Sequence, residues 1–209
     1  MTRLVLASTS PARLTLLRAG GIDPETIPPM VDEDEVVAVA QSQGLLTGTD
    51  EMVLLLARAK AEAVLNRPET AGALVVGCDS SLEFDGEWLG KPHLPEVAIE
   101  RWKRLRGKSG KLFSGHWVID NREPLNPRAA GRASHATVHF ANLSDDEIEA
   151  YVATGEPLKV AGAFTIDGLG GAFVSKIEGD PHTVIGLSLP TLRELVLELG
   201  VTYPSLWNR

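Results

Sequence analysis

The spacing of hydrophobic positions changes repeatedly along this chain, and each change marks an element. An apolar run over residues 4–7 breaks into Ser8-Thr9-Ser10-Pro11 and then turns helical, with Leu14, Leu16, Leu17 and Ala19 forming a stripe that Gly20 and Gly21 end. Ser10 suits the cap of that helix and Pro11 its first turn. Residues 52–67 repeat at helical spacing through Val53, Leu56, Ala57, Ala61 and Val64, and Pro68 stops them. Residues 73–77 have the composition of a buried strand, which turns polar at Cys78-Asp79-Ser80-Ser81. Residues 81–84 and 87–89 flank Asp85-Gly86, the strongest short-range hairpin signal.

The second half continues the alternation. Residues 95–106 read as a helix with an apolar face of Val97, Ala98, Trp102 and Leu105, ended by Gly107. Strands are expected at 112–119 and 133–140, joined by a mobile loop over 120–132 that carries no chemistry. Ser144 and Glu147 form a capping box for a helix reaching Thr154. Residues 161–171 hold four glycines, which suits close backbone approach to a ligand or to another strand. A final strand is expected at 172–177, a turn at Gly179-Asp180-Pro181 and a last helix at 190–199, ended by Gly200. Near the start, the Pro-containing segment ending in Asp32-Glu33-Asp34-Glu35 reads as a solvated loop. Alternating strands and helices without internal repeats give an α/β fold.

Composition narrows the class. A chain of 209 residues, 44% hydrophobic and 23% charged, can bury a core without staples and is not disordered. One cysteine, Cys78, excludes an internal disulfide and fits a reducing compartment. No apolar stretch approaches the roughly 20 residues that span a bilayer, and no signal-peptide pattern opens the chain, so a cytoplasmic protein is expected. Twenty basic against 28 acidic residues give a net charge of −8. That balance excludes a long nucleic-acid groove, though small phosphorylated ligands need only local positive charge.

The first turn offers that charge. Helix N–H groups, two hydroxyls and Arg13 converge on one point and make an anion site, most naturally for phosphate. Lys60, Lys91, Glu33 and Asp79 supply the other types that phosphoryl chemistry asks for: cations against phosphate oxygens, and carboxylates that hold a metal or take a proton from water. Each also has a plainer reading. Ser-x-Ser-Pro is a common helix cap, Lys60 an ordinary surface lysine, Glu33 a solvated acid and Asp79 a structural aspartate. Cys78 reads as a small buried filler, and His93, His116, His135, His139 and His182 show no metal-ligand spacing.

With these residues in place, the chain resembles the Maf family of nucleotide pyrophosphatases, once linked to septum formation. The match covers nearly all of it: Leu6 to Pro11 with Arg13, Leu16 and Leu17; Asp32-Glu33; Ala57 with Lys60-Ala61; Gly77-Cys78-Asp79; Gly86 with Gly90-Lys91-Pro92; Tyr151 with Gly155-Glu156-Pro157; Ala161-Gly162 with Ile166-Asp167-Gly168; and Ile185-Gly186-Leu187. The resemblance implies one domain over 1–209, with a mixed, curved central sheet flanked by helices and two lobes about a cleft, similar to the proteins that hydrolyse non-standard purine triphosphates. It implies a homodimer that cleaves nucleoside triphosphates between the α and β phosphates with a divalent cation, Mg²⁺, Mn²⁺ or Co²⁺, and no nucleic-acid or membrane partner. By position it makes Ser8, Ser10 and Arg13 phosphate contacts, Glu33 and Asp79 the metal ligands with Asp79 as base, and Lys60 and Lys91 electrostatic stabilisers.

Three positions depart from the family patterns. Ala12 stands where many members have a second arginine and one branch has tryptophan, while Ser80 and Asp167 replace the threonine and glutamine of the branch preferring dTTP and UTP. Ser80 and Asp167 are therefore candidates for reading the base. A carboxylate at 167 accepts from an amino or imino group, which suits guanine or cytosine better than uracil. A different class of function is also compatible with the resemblance: a nucleotide-binding regulator of cell division acting through a protein partner.

Overall fold

A computed structural model describes residues 1–209. In chain order the elements are β1 (Arg3–Ala7), α1 (Pro11–Ala19), β2 (Glu25–Thr26), α2 (Glu33–Ser42), α3 (Thr49–Val64), β3 (Ala73–Phe84), β4 (Glu87–Leu89), α4 (Pro95–Leu105), β5 (Ser109–Asp120), β6 (Arg128–Phe140), α5 (Asp145–Ala153), β7 (Val174–Gly179), α6 (Pro181–Ile185) and α7 (Leu189–Glu198). Short 3₁₀ turns lie at Pro68–Thr70, Glu156–Lys159, Ala161–Ala163, Leu169–Phe173 and Tyr203–Leu206. One mixed sheet runs in the order β2-β1-β3-β5-β6-β7, with β4 paired to β3. β1 is parallel to both β2 and β3, whereas the β3–β4 and β6–β7 pairs are antiparallel. The α/β class expected from the alternation is the one observed.

Local signals held where the deciding residues are neighbours. Ser10 caps α1 by accepting the Arg13 N–H at 3.4 Å, and Ser144 and Glu147 form the expected capping box on α5. The β3–β4 hairpin turns at Asp85 and Gly86, both with positive φ (51° and 79°), the conformation that a two-residue mirror-type turn requires. Other expectations change. The acidic run is no loop but the first turn of α2, where Asp32 accepts the Glu35 N–H at 3.0 Å and Glu33, Asp34 and Glu35 complement the helix dipole. The strand expected to end at Gly77 continues through the polar residues to Phe84. Residues 128–132, expected in a mobile loop, open β6, and Pro181, expected in a turn, opens α6.

The chain divides into two compact units. The first comprises residues 1–79, 114–134 and 186–209. Its core packs Val5 and Ala7 of β1, Val75 of β3 and Ile119 of β5 against Ala61 and Val64 of α3. Here α3 lies directly on the sheet backbone: a Cβ on Gly77 would fall 2.1 Å from the Ala57 carbonyl oxygen, and one on Gly115 would fall 2.1 Å from that of Val53. Only glycine fits at either position.

The second unit comprises residues 80–113 and 135–185. Trp102 is wholly buried at its centre, edge-on to Phe140 and Tyr151 with ring centroids 5.6 Å away in each case. Its indole N–H donates to the Ala163 carbonyl at 2.8 Å, so the one polar atom of the ring is satisfied.

Candidate active site

The point where the parallel pairing of β1 with β3 ends sets the position of the site in the first unit. Pairing of β1 with β3 runs from Arg3 opposite Ala73 to Ala7 opposite Gly77. Ser8 follows the carboxyl end of β1, and Cys78-Asp79 lie beside it on β3, which continues to Phe84, just past the end of the parallel pairing; such a position is where α/β sheets place ligands.

Arg13, on the first turn of α1, ties these ends together. Its Nη1 donates to the Cys78 carbonyl at 2.9 Å and to Ser8 Oγ at 3.4 Å, and its Nε donates to the Gly186 carbonyl at 2.8 Å. The side chain is buried, with 8% of the residue exposed. Ser8 Oγ also accepts the Ser10 N–H at 3.1 Å. In these bonds both Ser8 and Ser10 hydroxyls act as acceptors, so their O–H groups can still donate to an anion.

Lys60 stands on the buried stripe of α3, which runs through Thr49, Met52, Val53, Leu56, Ala57, Lys60, Ala61 and Val64. A lysine on that stripe is carried into the interior. Its ammonium donates to Asp79 Oδ1 at 2.6 Å and lies 2.8 Å from Glu33 Oε1. Side-chain exposure is 8% for Lys60 and 10% for Asp79, against 47% for Glu33. One cation thus bridges a buried carboxylate on β3 and a half-exposed one on the first turn of α2. The Lys60–Asp79 pair is largely removed from water, so losing Lys60 would strand the buried Asp79 charge.

Cys78 lies between Gly77 and Asp79 with its side chain buried. Burial pushes its thiol up to about 11, and the opposing effect of Arg13 and Lys60 is only partial, so it stays protonated at neutral pH and is no nucleophile.

Of the nine residues singled out in the sequence, Ser8, Ser10, Arg13, Glu33, Lys60 and Asp79 lie in this first unit. Ser80, Lys91 and Asp167 belong to the second unit, where Lys91 and Asp167 are exposed. Asp167 Oδ1 accepts the Thr165 hydroxyl, and the Asp167 N–H returns a bond to Thr165 Oγ1 at 3.4 Å. The loop bearing Asp167 is held by Glu156. That carboxylate accepts the Tyr151 hydroxyl at 2.8 Å, the Gly170 N–H at 2.9 Å and the Leu169 N–H at 3.0 Å. Glu156 carries no role in the sequence pattern alone, although a Gly-Glu-Pro at a helix end followed by a glycine-rich loop is its local signal.

The Maf-like protein family model matches residues 3–199. The chain belongs to the Maf family. A relative named nucleoside triphosphate pyrophosphatase from Leifsonia xyli subsp. xyli is 54% identical over 209 residues, covering 99% of this chain and 97% of its own length. A relative of the same name from Salinispora tropica is also 54% identical, covering 99% of this chain and 88% of its own. A solved nucleoside-triphosphatase / dITP/XTP pyrophosphatase from Mycobacterium abscessus shares 15% identity over 68% of this chain and 76% of its own, with a TM-score of 0.34. Within the Maf-family chain, the motif residues following β1, on β3 beside them, and on α2 and α3 are those that meet in the first unit. No helix is long and apolar enough to cross a membrane.

Proposed function

We propose that this Maf-family chain hydrolyses nucleoside triphosphates between the α and β phosphates, releasing the nucleoside monophosphate and pyrophosphate. The observation that carries the reading is the Lys60 ammonium bridging Asp79 and Glu33 beside the Arg13 turn. The relatives' shared name supports it. Ser8, Ser10 and the N-terminus of α1 donate to phosphate oxygens, and Arg13 holds the turn and adds positive charge. Asp79 takes the proton of the attacking water. Lys60 and, from the family pattern, Lys91 offset the charge that gathers on the phosphate oxygens.

Glu33 and Asp79 are the residues that would hold a divalent cation, Mg²⁺, Mn²⁺ or Co²⁺. No group of three or more His, Cys, Asp or Glu side chains forms a cage for such an ion. Two carboxylates fit a hard cation that keeps some of its water and takes its remaining oxygens from substrate phosphates. Such an ion would supply charge neutralisation and phosphate orientation. Asp167 and Ser80 are proposed to read the base, with guanine or cytosine favoured. A homodimer working on free nucleotides in the cytoplasm completes the reading, and sedimentation velocity tests its assembly.

The deciding experiment incubates purified protein and Mg²⁺ or Mn²⁺ with a panel of ordinary and modified triphosphates. Monophosphate and pyrophosphate are the expected products, and Asp79→Asn should lower turnover by at least about a hundredfold while nucleotide still binds. Wild-type turnover by Asp79→Asn would remove that residue as the base. Absence of pyrophosphate across the panel would end the enzymatic reading.

A further inference from the structure

His116 takes no part in the chemistry above, yet of the five histidines it is the one that is wholly buried. It lies on β5, and its Nε2 accepts the Ser188 N–H at 2.7 Å. A ring nitrogen that accepts carries no proton, so the imidazole is neutral and its hydrogen sits on Nδ1. Nδ1 faces the Arg132 carbonyl at 3.3 Å, the partner that tautomer requires.

Ser188 is the cap of α7, where its Oγ accepts the Thr191 N–H at 3.1 Å. A buried backbone N–H at a helix start needs an acceptor from outside the helix, and His116 supplies it. Two residues earlier Gly186, with φ at 114°, directs its carbonyl onto Arg13 Nε at 2.8 Å. Arg13 in turn grips the Cys78 carbonyl next to Asp79, and Ser8 Oγ. A chain of hydrogen bonds and two peptide units therefore links the imidazole to the guanidinium.

We infer that His116 is a positioning residue: by fixing the segment 186–188 it sets the Gly186 carbonyl that aims Arg13 at Ser8 and the Cys78 carbonyl, where the β1–β3 pairing ends. Its effect on activity rests on the proposed triphosphate site; its effect on geometry does not. Glutamine can replace the acceptor with its amide oxygen, whereas leucine fills similar space and leaves the Ser188 N–H unpaired.

The test is a double-mutant cycle on kcat/KM for a hydrolysed triphosphate, with His116→Leu, His116→Gln, Arg13→Met and the double variant His116→Leu/Arg13→Met, alongside ¹⁵N NMR of the His116 ring in the wild-type protein. His116→Leu should lower kcat/KM about tenfold, mostly through KM, and His116→Gln should recover most of it. In the Arg13→Met background the leucine substitution should change kcat/KM by less than about twofold, since nothing remains to be aimed. The ring should show a protonated Nδ1 and an unprotonated Nε2 at pH 7. Wild-type activity in His116→Leu, full additivity with Arg13→Met, or a protonated Nε2 would each overturn the inference. An inert Arg13→Met would instead sink the phosphate role of Arg13 and leave the NMR result to judge His116. Should the leucine variant fail to fold, His116→Gln with near wild-type kcat/KM and the wild-type tautomer keep the inference, and a glutamine variant as impaired as Arg13→Met rejects it.

Discussion

Lys60 and Asp79 form an ion pair of 2.6 Å that is almost closed to solvent, and the same ammonium reaches Glu33 at 2.8 Å. Replacing the lysine strands a buried carboxylate. Lys60→Met should therefore lower unfolding free energy by about 3 kcal/mol in urea titrations at pH 7. Adding Asp79→Asn to that variant should restore part of the loss, since it removes the stranded charge. A double variant less stable than Lys60→Met alone would contradict this account of the pair.

Gly77 lets α3 approach closely enough to bring Lys60 to Asp79. A Cβ there would stand 2.1 Å from the Ala57 carbonyl oxygen and 2.8 Å from the Ala61 nitrogen, both backbone atoms of one helix. Gly77→Ala should cost about 3 kcal/mol by overpacking and should lower turnover by moving Lys60 off Asp79. Gly90→Ala, where a Cβ meets nothing within 4 Å, serves as the control and should stay within about 0.5 kcal/mol of wild type. Equal melting curves for the two variants would refute the close approach.

Glu156 makes stability fall in acid. Burial pushes its carboxyl up, but the Gly170 and Leu169 N–H bonds and the Tyr151 hydroxyl outweigh that and hold it below the ordinary glutamate value of 4.5. A carboxyl that ionises more readily in the native chain than in the unfolded one stabilises the fold fully above the unfolded value. The contribution is lost as pH falls through the native value. Glu156→Gln should cost about 2 kcal/mol at pH 7 and progressively less below pH 4.5. Amide exchange at Leu169 and Gly170 should quicken in the variant. A stability gap that widens in acid would reverse the sign and exclude the carboxylate clamp.

Base preference offers the fourth prediction. Replacing the acceptor-only Asp167 by glutamine restores a donor, so Asp167→Gln should raise kcat/KM for UTP relative to GTP by at least about fivefold. Unchanged ratios across the four ordinary bases would show that residue 167 does not read the base.

Much of the fold was legible because the deciding groups are sequence neighbours. Ser10 and the Ser144–Glu147 box complete their own hydrogen bonds within a few residues, and Asp85-Gly86 sets the turn that pairs Phe84 with Glu87. The start of α2 is equally local, because Asp32 followed by three acids is a capped, dipole-matched helix start as much as a solvated run. The extension of β6 back to Arg128 was hidden for another reason, since strand pairing satisfies the backbone of a polar, glycine-containing stretch whatever its hydrophobic pattern.

By itself the sequence determined the α/β class, the capped turn of α1, the hairpin and the residue types that phosphoryl chemistry needs, because propensity, capping and periodicity act over a few residues. Tertiary structure alone decided that Glu33, Lys60 and Asp79 meet, that Arg13 grips Cys78 and Gly186 and that His116 supports Ser188 from 72 residues away. Those contacts depend on two glycines letting a helix rest on a sheet and on which strands lie side by side, and such packing between distant segments leaves no periodic trace in the chain.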